Sequence, residues 1–197
     1  MLDKVRRGFP DDQTLAILSK RVFLTPVEKK FKILQQNGNA PVCLFPKVNM
    51  CKEFNQTMLA NLPSPTVKIR ATNLINGTGN IHVRRKKDDD NLEKRVMLRC
   101  NVNVEKGLVN AALGIVQAIL ETRITVNFDG ITDPCEIEKV KRKFMVMKNV
   151  FVYRSQFPLI LAFAVTIDIC QGLSLDNAII DLSENVFSAG MAYIALS

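Results

Sequence analysis

Histidine is almost missing from this 197-residue chain: His82 is the only one. The five cysteines, Cys43, Cys51, Cys100, Cys135 and Cys170, include no two within two to four positions of each other. A zinc centre needs ligands at such spacing, so the sequence carries no metal-binding pattern. No run of about 18 uninterrupted apolar residues occurs either, and the pattern gives no membrane-spanning helix. The opening residues, MLDKVRRGFPDD, lack the apolar stretch of a secretory leader. The cysteines are therefore expected as thiols in a reducing, intracellular compartment.

What is present reads as a globular protein, with 47% hydrophobic and 23% charged residues. The length allows one good core, or one core and a small inserted module. The formal net charge is +8. Such an excess favours a polyanionic partner, nucleic acid or an acidic membrane surface. No basic amphipathic helix supports the membrane alternative.

Along the chain, residues 1–36 read as a helical pair: LDKVRR stops at Gly8 and Pro10, and Asp11 or Asp12 caps TLAILSKRVF. APVCLFP is a short strand, followed by a helix with Val48, Cys51, Phe54, Met58, Leu59 and Leu62 on one face. After Pro63 and Pro65, TVKIRATN alternates Val67 and Ile69 with Lys68 and Arg70, which predicts a second strand. Residues 73–95, with NGTGN and RRKKDDD, read as a linker or long loop whose basic and acidic runs offset each other. NGTGN is no phosphate loop, because no Lys followed by Ser or Thr comes after it.

From Arg95 onward RVMLRCNV, TRITVNF and KRKFMVM alternate, and Asp129-Gly130 marks a tight turn, so a small β-barrel is expected. VNAALGIVQAIL is ambiguous on pattern alone: Val109, Ala112, Leu113 and Val116 are helically spaced, while Gly107 and Gly114 argue against a helix. The end of the chain returns to α/β, with LILAFAVTI and NAIIDLS as buried strands and AGMAYIALS opening a helix. The whole is a parallel α/β domain interrupted by a β module.

Several residues have both a chemical and a plain structural reading. Asp176 and Asp181 suit capping and strand-end solvation better than acid–base work, having no aligned base or metal. Cys170 reads as a structural thiol with no neighbouring His to activate it. Phe151 and Tyr153, interleaved with Lys148 and Arg154, have the composition of a base-stacking strand, but alternating aromatics on a barrel strand are more often core. KVKRK, 139–143, is the strongest basic patch and is expected to face solvent on the barrel.

QFPLILAFAVTIDICQGLSLD and VFSAGMAYIALS closely resemble the C-terminal half of the petite-integration-frequency (PIF) type DNA helicases of superfamily 1, including those of Helitron-like transposons. LFPKVNMCKEFNQTML is similar to that family's fourth motif, and VMLRCNVNVEKGLVNAALG to its stretch ending in Gly-Leu-Val-Asn-Gly. The resemblance implies an α/β fold: the second RecA-like motor domain with a small SH3-like β-barrel inserted. Residues 1–92 would form its first part, with a linker over 73–92, residues 93–157 the barrel, and 158–197 the remainder. VNAALGIV would then be a turn and strand, with Ala111 replacing the family's usual Gly.

The polar elbow Thr166–Gly172 would be the fifth motif, usually Thr-Ile-His-Lys, a small residue, then Gln-Gly. The resemblance assigns Lys47, Asn49, Thr166, Asp168, Gln171 and Gly172 to single-stranded DNA, and Gly190 and Tyr193 to the side facing ATP. The family's His and Lys are here Asp168 and Ile169, a change that should weaken DNA binding. Lys47 stands where Thr is common.

ATP and Mg²⁺ are the family's cofactors. Its partners would be single-stranded DNA and a first RecA-like motor domain, with no membrane. A nuclear setting in DNA repair, recombination and telomere maintenance is also implied. The sequence has no GxxxxGK[ST] loop, and the arginine completing YIALSR falls beyond Ser197, so no ATPase activity is expected of the chain alone. The competing expectation is a degenerate, transposon-derived remnant acting as a non-enzymatic interaction module.

Overall fold

The computed structural model describes residues 2–37, 41–62, 69, 71–75, 94–183 and 190–196. The elements in chain order begin with α1 (Leu2–Arg6), α2 (Asp12–Ser19), α3 (Val27–Gln36), β1 (Val42–Phe45), α4 (Val48–Ala60) and β2 (Thr72–Ile75). Next come β3 (Lys94–Leu98), β4 (Leu113–Ile119), β5 (Arg123–Phe128), β6 (Cys135–Glu138), β7 (Val140–Met147) and β8 (Val150–Gln156). The chain continues with β9 (Leu159–Leu161), β10 (Ala164–Thr166), α5 (Ile167–Cys170), β11 (Ala178–Ile180) and α6 (Met191–Leu196). They form two compact units, Met1–Met58 with Phe163–Ser197, and Leu59–Ala162.

The first unit holds a parallel sheet in the order β10-β1-β11. All four residues of β1 are buried, as expected of a strand covered on both faces. Phe31 of α3 meets Phe54 of α4 edge-on at 5.7 Å and Phe163 at 6.2 Å, while Phe54 also lies 5.5 Å from Phe45. These aromatic contacts hold both helices on the sheet. Of the apolar face expected on α4, Cys51, Phe54 and Met58 are buried, but Val48 is exposed. Burial raises the thiol pKa of Cys51 to about 11 and that of Cys43 further, so both behave as small apolar side chains.

The N-terminal segment contains three helices rather than a pair. Asp11 caps α2 by accepting from the Thr14 amide at 3.1 Å, and its carboxyl pKa is held low, chiefly by the Lys4 ammonium and then by Thr14. The expected helix through Phe23 stops at Ser19. Thr25 precedes a proline, which disfavours helical backbone there, and Pro26 opens α3.

A side chain completes the sheet edge. Cys43 N–H donates to Phe163 O at 2.9 Å, so the polar groups of Ala164 point away from β1. Asn55 of α4 meets both: its amide N donates to Ala164 O at 2.8 Å, and Ala164 N–H donates to its Oδ1 at 2.9 Å. Asn55 thus serves Ala164, which is only 2% exposed, as another strand would.

In the second unit β6-β5-β4-β3-β9 form an antiparallel sheet, and among the described residues no pairing joins β6 to β9. Ile124, Val126 and Phe128 alternate inward on β5 and pack with Val96, Leu98, Val116 and Ile137. Each such buried side chain contributes roughly 1.5–3 kcal/mol. A separate antiparallel sheet runs β2-β8-β7.

The ambiguous segment is strand β4, and the helical spacing of its apolar residues was misleading. The glycine explains why: a Cβ on Gly114 would lie 2.6 Å from Asn127 O and 2.9 Å from Phe128 Cα, so β4 and β5 approach where no side chain fits. Ala111, before this strand, holds a left-handed φ of 71°, which accounts for glycine as the residue usual there in the resembling family.

Other expectations shift. The strand predicted over 66–73 is found at Thr72–Ile75, at the start of the supposed linker; Val67, Lys68, Arg70 and residues 76–93, including His82, lie outside the described residues. The continuous run LILAFAVTI divides: β9 pairs antiparallel with β3 in one unit, and β10 pairs parallel with β1 in the other. Phe151 and Tyr153 are not core. Phe151 is half-buried, Tyr153 is 37% exposed, and both lie on the three-stranded sheet together with most of the basic patch.

Two substitutions test this account. Asn55→Leu keeps similar bulk but strands two buried polar groups, each worth about 1–3 kcal/mol. Protection of the Ala164 amide against hydrogen exchange should fall at least about thirtyfold, whereas amides of β5 should keep theirs. Gly114→Ala forces β4 from β5 at a cost of about 1–3 kcal/mol, seen as an earlier urea transition of the five-stranded sheet.

Candidate nucleic-acid interface

Because β1, β10 and β11 are parallel, their C-terminal ends share one edge of the sheet, the customary ligand edge of open α/β sheets. Phe45 is in register with Thr166, and Leu44 with Ile180. Lys47 and Asn49 follow β1, the elbow follows β10, and Asp181 follows β11. Residues more than a hundred positions apart, Lys47 and Asp168, therefore lie beyond the ends of neighbouring strands.

Lys47, Asn49, Asp168, Gln171 and Gly172 are exposed, while Thr166 is 7% exposed. Thr166 leaves β10 in extended geometry and stands at the N-terminus of α5 without a side-chain cap bond. Ile167 and Cys170, three apart, are both buried and anchor α5, which turns Asp168 outward and leaves Ile169 half-buried. The Cys170 thiol donates to Ile167 O at 2.9 Å, and burial is the main cause of its raised pKa. It is a packed structural thiol.

The Gln-Gly pair has a geometric reason. Gln171 has φ −57° and ψ 120°, Gly172 has φ +83°, and Leu173 N–H donates to Cys170 O at 2.9 Å. This is a type II turn, which needs a residue tolerant of positive φ at its third position. No other atom lies within 4 Å of where a Gly172 Cβ would be, so the constraint is conformational rather than steric crowding.

The turn hands the chain to β11. Asp181 N–H donates to Leu44 O, and the Asp181 carboxylate accepts from Ser183 N–H at 2.9 Å, an end cap rather than a catalytic pair with Asp176. α6 packs against α5, so Gly190 and Tyr193 belong to the same neighbourhood as the elbow. Gly190 is exposed with φ +81°, Tyr193 is half-buried, and Met191 anchors the helix.

Asn55 is the residue of this site that sequence reading missed. It lies in the fourth-motif stretch, and its visible signal is a carboxamide one position from the buried Phe54 on an amphipathic helix. Among the described residues no cluster of three His, Cys, Asp or Glu side chains is placed to hold a metal ion. No described helix is long and apolar enough to cross a membrane.

No protein-family model matches the chain. It is 40% identical over 107 residues to the ATP-dependent DNA helicase PIF1 of Xenopus laevis, across 52% of this chain and 16% of that protein. The ATP-dependent DNA helicase Pif1 of Bdellovibrio bacteriovorus is 30% identical over 164 residues, across 78% of this chain and 36% of the relative. Among solved structures, Bacteroides sp Pif1 in complex with ADP-AlF4 aligns with a TM-score of 0.65 and 25% identity, over 99% of this chain and 44% of that one. Bacteroides Pif1 bound to single-stranded DNA agrees in fold, at 24% identity, a TM-score of 0.63 and the same two coverages. By sequence and by fold, the chain is a relative of the PIF1-type DNA helicases and spans less than half the length of those it matches.

Proposed function

We propose that the chain is the C-terminal part of an ATP-dependent DNA helicase motor, and that the strand-end edge of its parallel sheet is one wall of a single-stranded DNA path. The observation carrying this reading is the convergence of Lys47 and Asn49 with Asp168, Gln171 and Gly172 beyond the ends of β1 and β10. Four of them, an ammonium, two carboxamides and an open glycine, are sequence-blind groups of the kind that meets phosphate and sugar rather than base edges, and Asp168 is the exception. Related Pif1 structures with single-stranded DNA support the choice of ligand.

In this reading the five-stranded sheet is the SH3-like insert, and a first RecA-like domain is the partner that completes the motor. Thr166 acts through its backbone, since its side chain is largely covered. Gln171 and Gly172 set the turn that holds the path. Gly190 and Tyr193 supply one side of a nucleotide cleft, where ATP with Mg²⁺ would drive translocation. The chain's own residues position the nucleotide and the DNA: its sequence has no GxxxxGK[ST] phosphate loop, so in this reading hydrolysis depends on the partner domain.

Asp168 puts a negative charge on the proposed path, and Ile169 puts grease beside it. The double change Asp168→His, Ile169→Lys should tighten binding of a fluorescent single-stranded oligonucleotide by roughly tenfold at low salt. It should also steepen the dependence of log affinity on log salt by about 0.7 per added phosphate contact. An unchanged affinity, with both proteins folded by circular dichroism, removes the elbow from any DNA path.

A further inference from the structure

We infer that Asn55 is a positioning residue for the proposed DNA path: it sets the register of α4 against β10, so that Asn49 and the elbow bind one strand as a unit. This rests on the reading of the strand-end edge above. Every residue involved lies in the first unit.

Apolar packing alone leaves that register loosely set. Cys51, Phe54 and Met58 hold α4 on the sheet, with the Phe54 ring 5.7 Å from that of Phe31 and 5.5 Å from that of Phe45. Such contacts have little direction, and they fix the distance of the helix from the sheet more firmly than its shift along the strand. The pair with Ala164 is directional. Asn55 Nδ2 donates to Ala164 O at 2.8 Å and Asn55 Oδ1 accepts from Ala164 N–H at 2.9 Å, so a slide of about 1 Å along the strand strains both bonds. Ala164 is 2% exposed, and neither of its groups finds water in exchange.

The clamp sits between the two sets of DNA-facing groups. Thr166, where the elbow opens, follows Ala164 by two residues, about 7 Å of strand. Asn49 precedes Asn55 by six residues, about 9 Å of helix, and lies in the first turn of α4. β10 is only three residues long and pairs with β1 on one side, while Asn55 takes the side of Ala164 that faces away from β1. Helix and strand are stiff over such lengths. A register fixed at Asn55 is therefore carried to Asn49 in one direction and to Gln171 and Gly172 in the other.

Two contact sets held at constant spacing meet one strand without a further loss of freedom; once the spacing wanders, each binds as though alone. The side chain that holds them must offer a donor and an acceptor together. An ionised carboxylate has no donor, leucine has neither, and a serine hydroxyl ends one bond short of the carboxamide.

The test is a double-mutant cycle on the full chain, read by fluorescence anisotropy of a single-stranded oligonucleotide at low salt. Asn49→Ala should cost the wild type about tenfold in affinity, the worth of a hydrogen bond to a charged group. In the Asn55→Ser background the same change should cost less than about threefold, and the effect of Gln171→Ala should shrink in parallel. Asn55→Leu should behave as Asn55→Ser does. Met58→Ala is the control, because it weakens the same helix through a cavity and leaves the Ala164 pair in place; Asn49→Ala should keep its tenfold effect there. A change that only lowered the folded fraction would scale every affinity alike and leave the effect of Asn49→Ala as it was. Equal effects of Asn49→Ala with and without folded Asn55→Ser overturn the inference while the strand-end reading stands, as does loss of the effect with Met58→Ala. Absence of single-strand binding by both the wild type and the Asp168→His, Ile169→Lys variant overturns the strand-end reading, and this inference with it.

Discussion

The reciprocal pair between Asn55 and Ala164 is the constraint on which the strand-end edge depends. A parallel strand at the margin of a small sheet has polar groups turned outward, and here they are buried. A carboxamide has one donor and one acceptor side by side, so one residue of α4 satisfies both. The same contact fixes α4 to β10. α4 begins just after Lys47 and β10 ends at Thr166, so the two stretches that meet at the sheet edge are joined below it by the same hydrogen bonds.

The first unit and the three-stranded sheet β2-β8-β7 show two ways of placing polar chemistry. At the sheet edge, topology brings distant residues together and buried neighbours aim them: Ile167 and Cys170 hold α5, and Phe54 holds α4. On β7 and β8, local register sorts the charges, and aromatic rings restrain them at distances of 4.0–5.7 Å. The first arrangement requires a folded core; the second needs only correctly paired strands.

Local rules recovered the pieces in which one force dominates. The cap at Asp11, the buried strand Val42–Phe45, the amphipathic run of α4 and the alternation of β5 were legible because capping and burial leave periodic marks. The run LILAFAVTI was not, because hydrophobicity does not say which sheet buries a residue: Leu161 and Ala164 are alike in character and belong to different units. VNAALGIV failed in another way, since its helical spacing competed with a glycine whose meaning depends on a partner strand twelve or more residues away. Only the family resemblance pointed to a strand. Asn55 was invisible for the same reason, its partner being 109 positions distant.

The type II turn at Gln171 and Gly172 separates what builds the elbow from what the elbow presents. Its shape comes from a glycine at positive φ, one backbone hydrogen bond and two buried side chains, none of which is Asp168 or Ile169. The charge displayed at the exposed Asp168 can therefore change sign while the backbone remains where it was, whereas the half-buried Ile169 also packs, so the elbow's shape and the charge it offers are set by different residues.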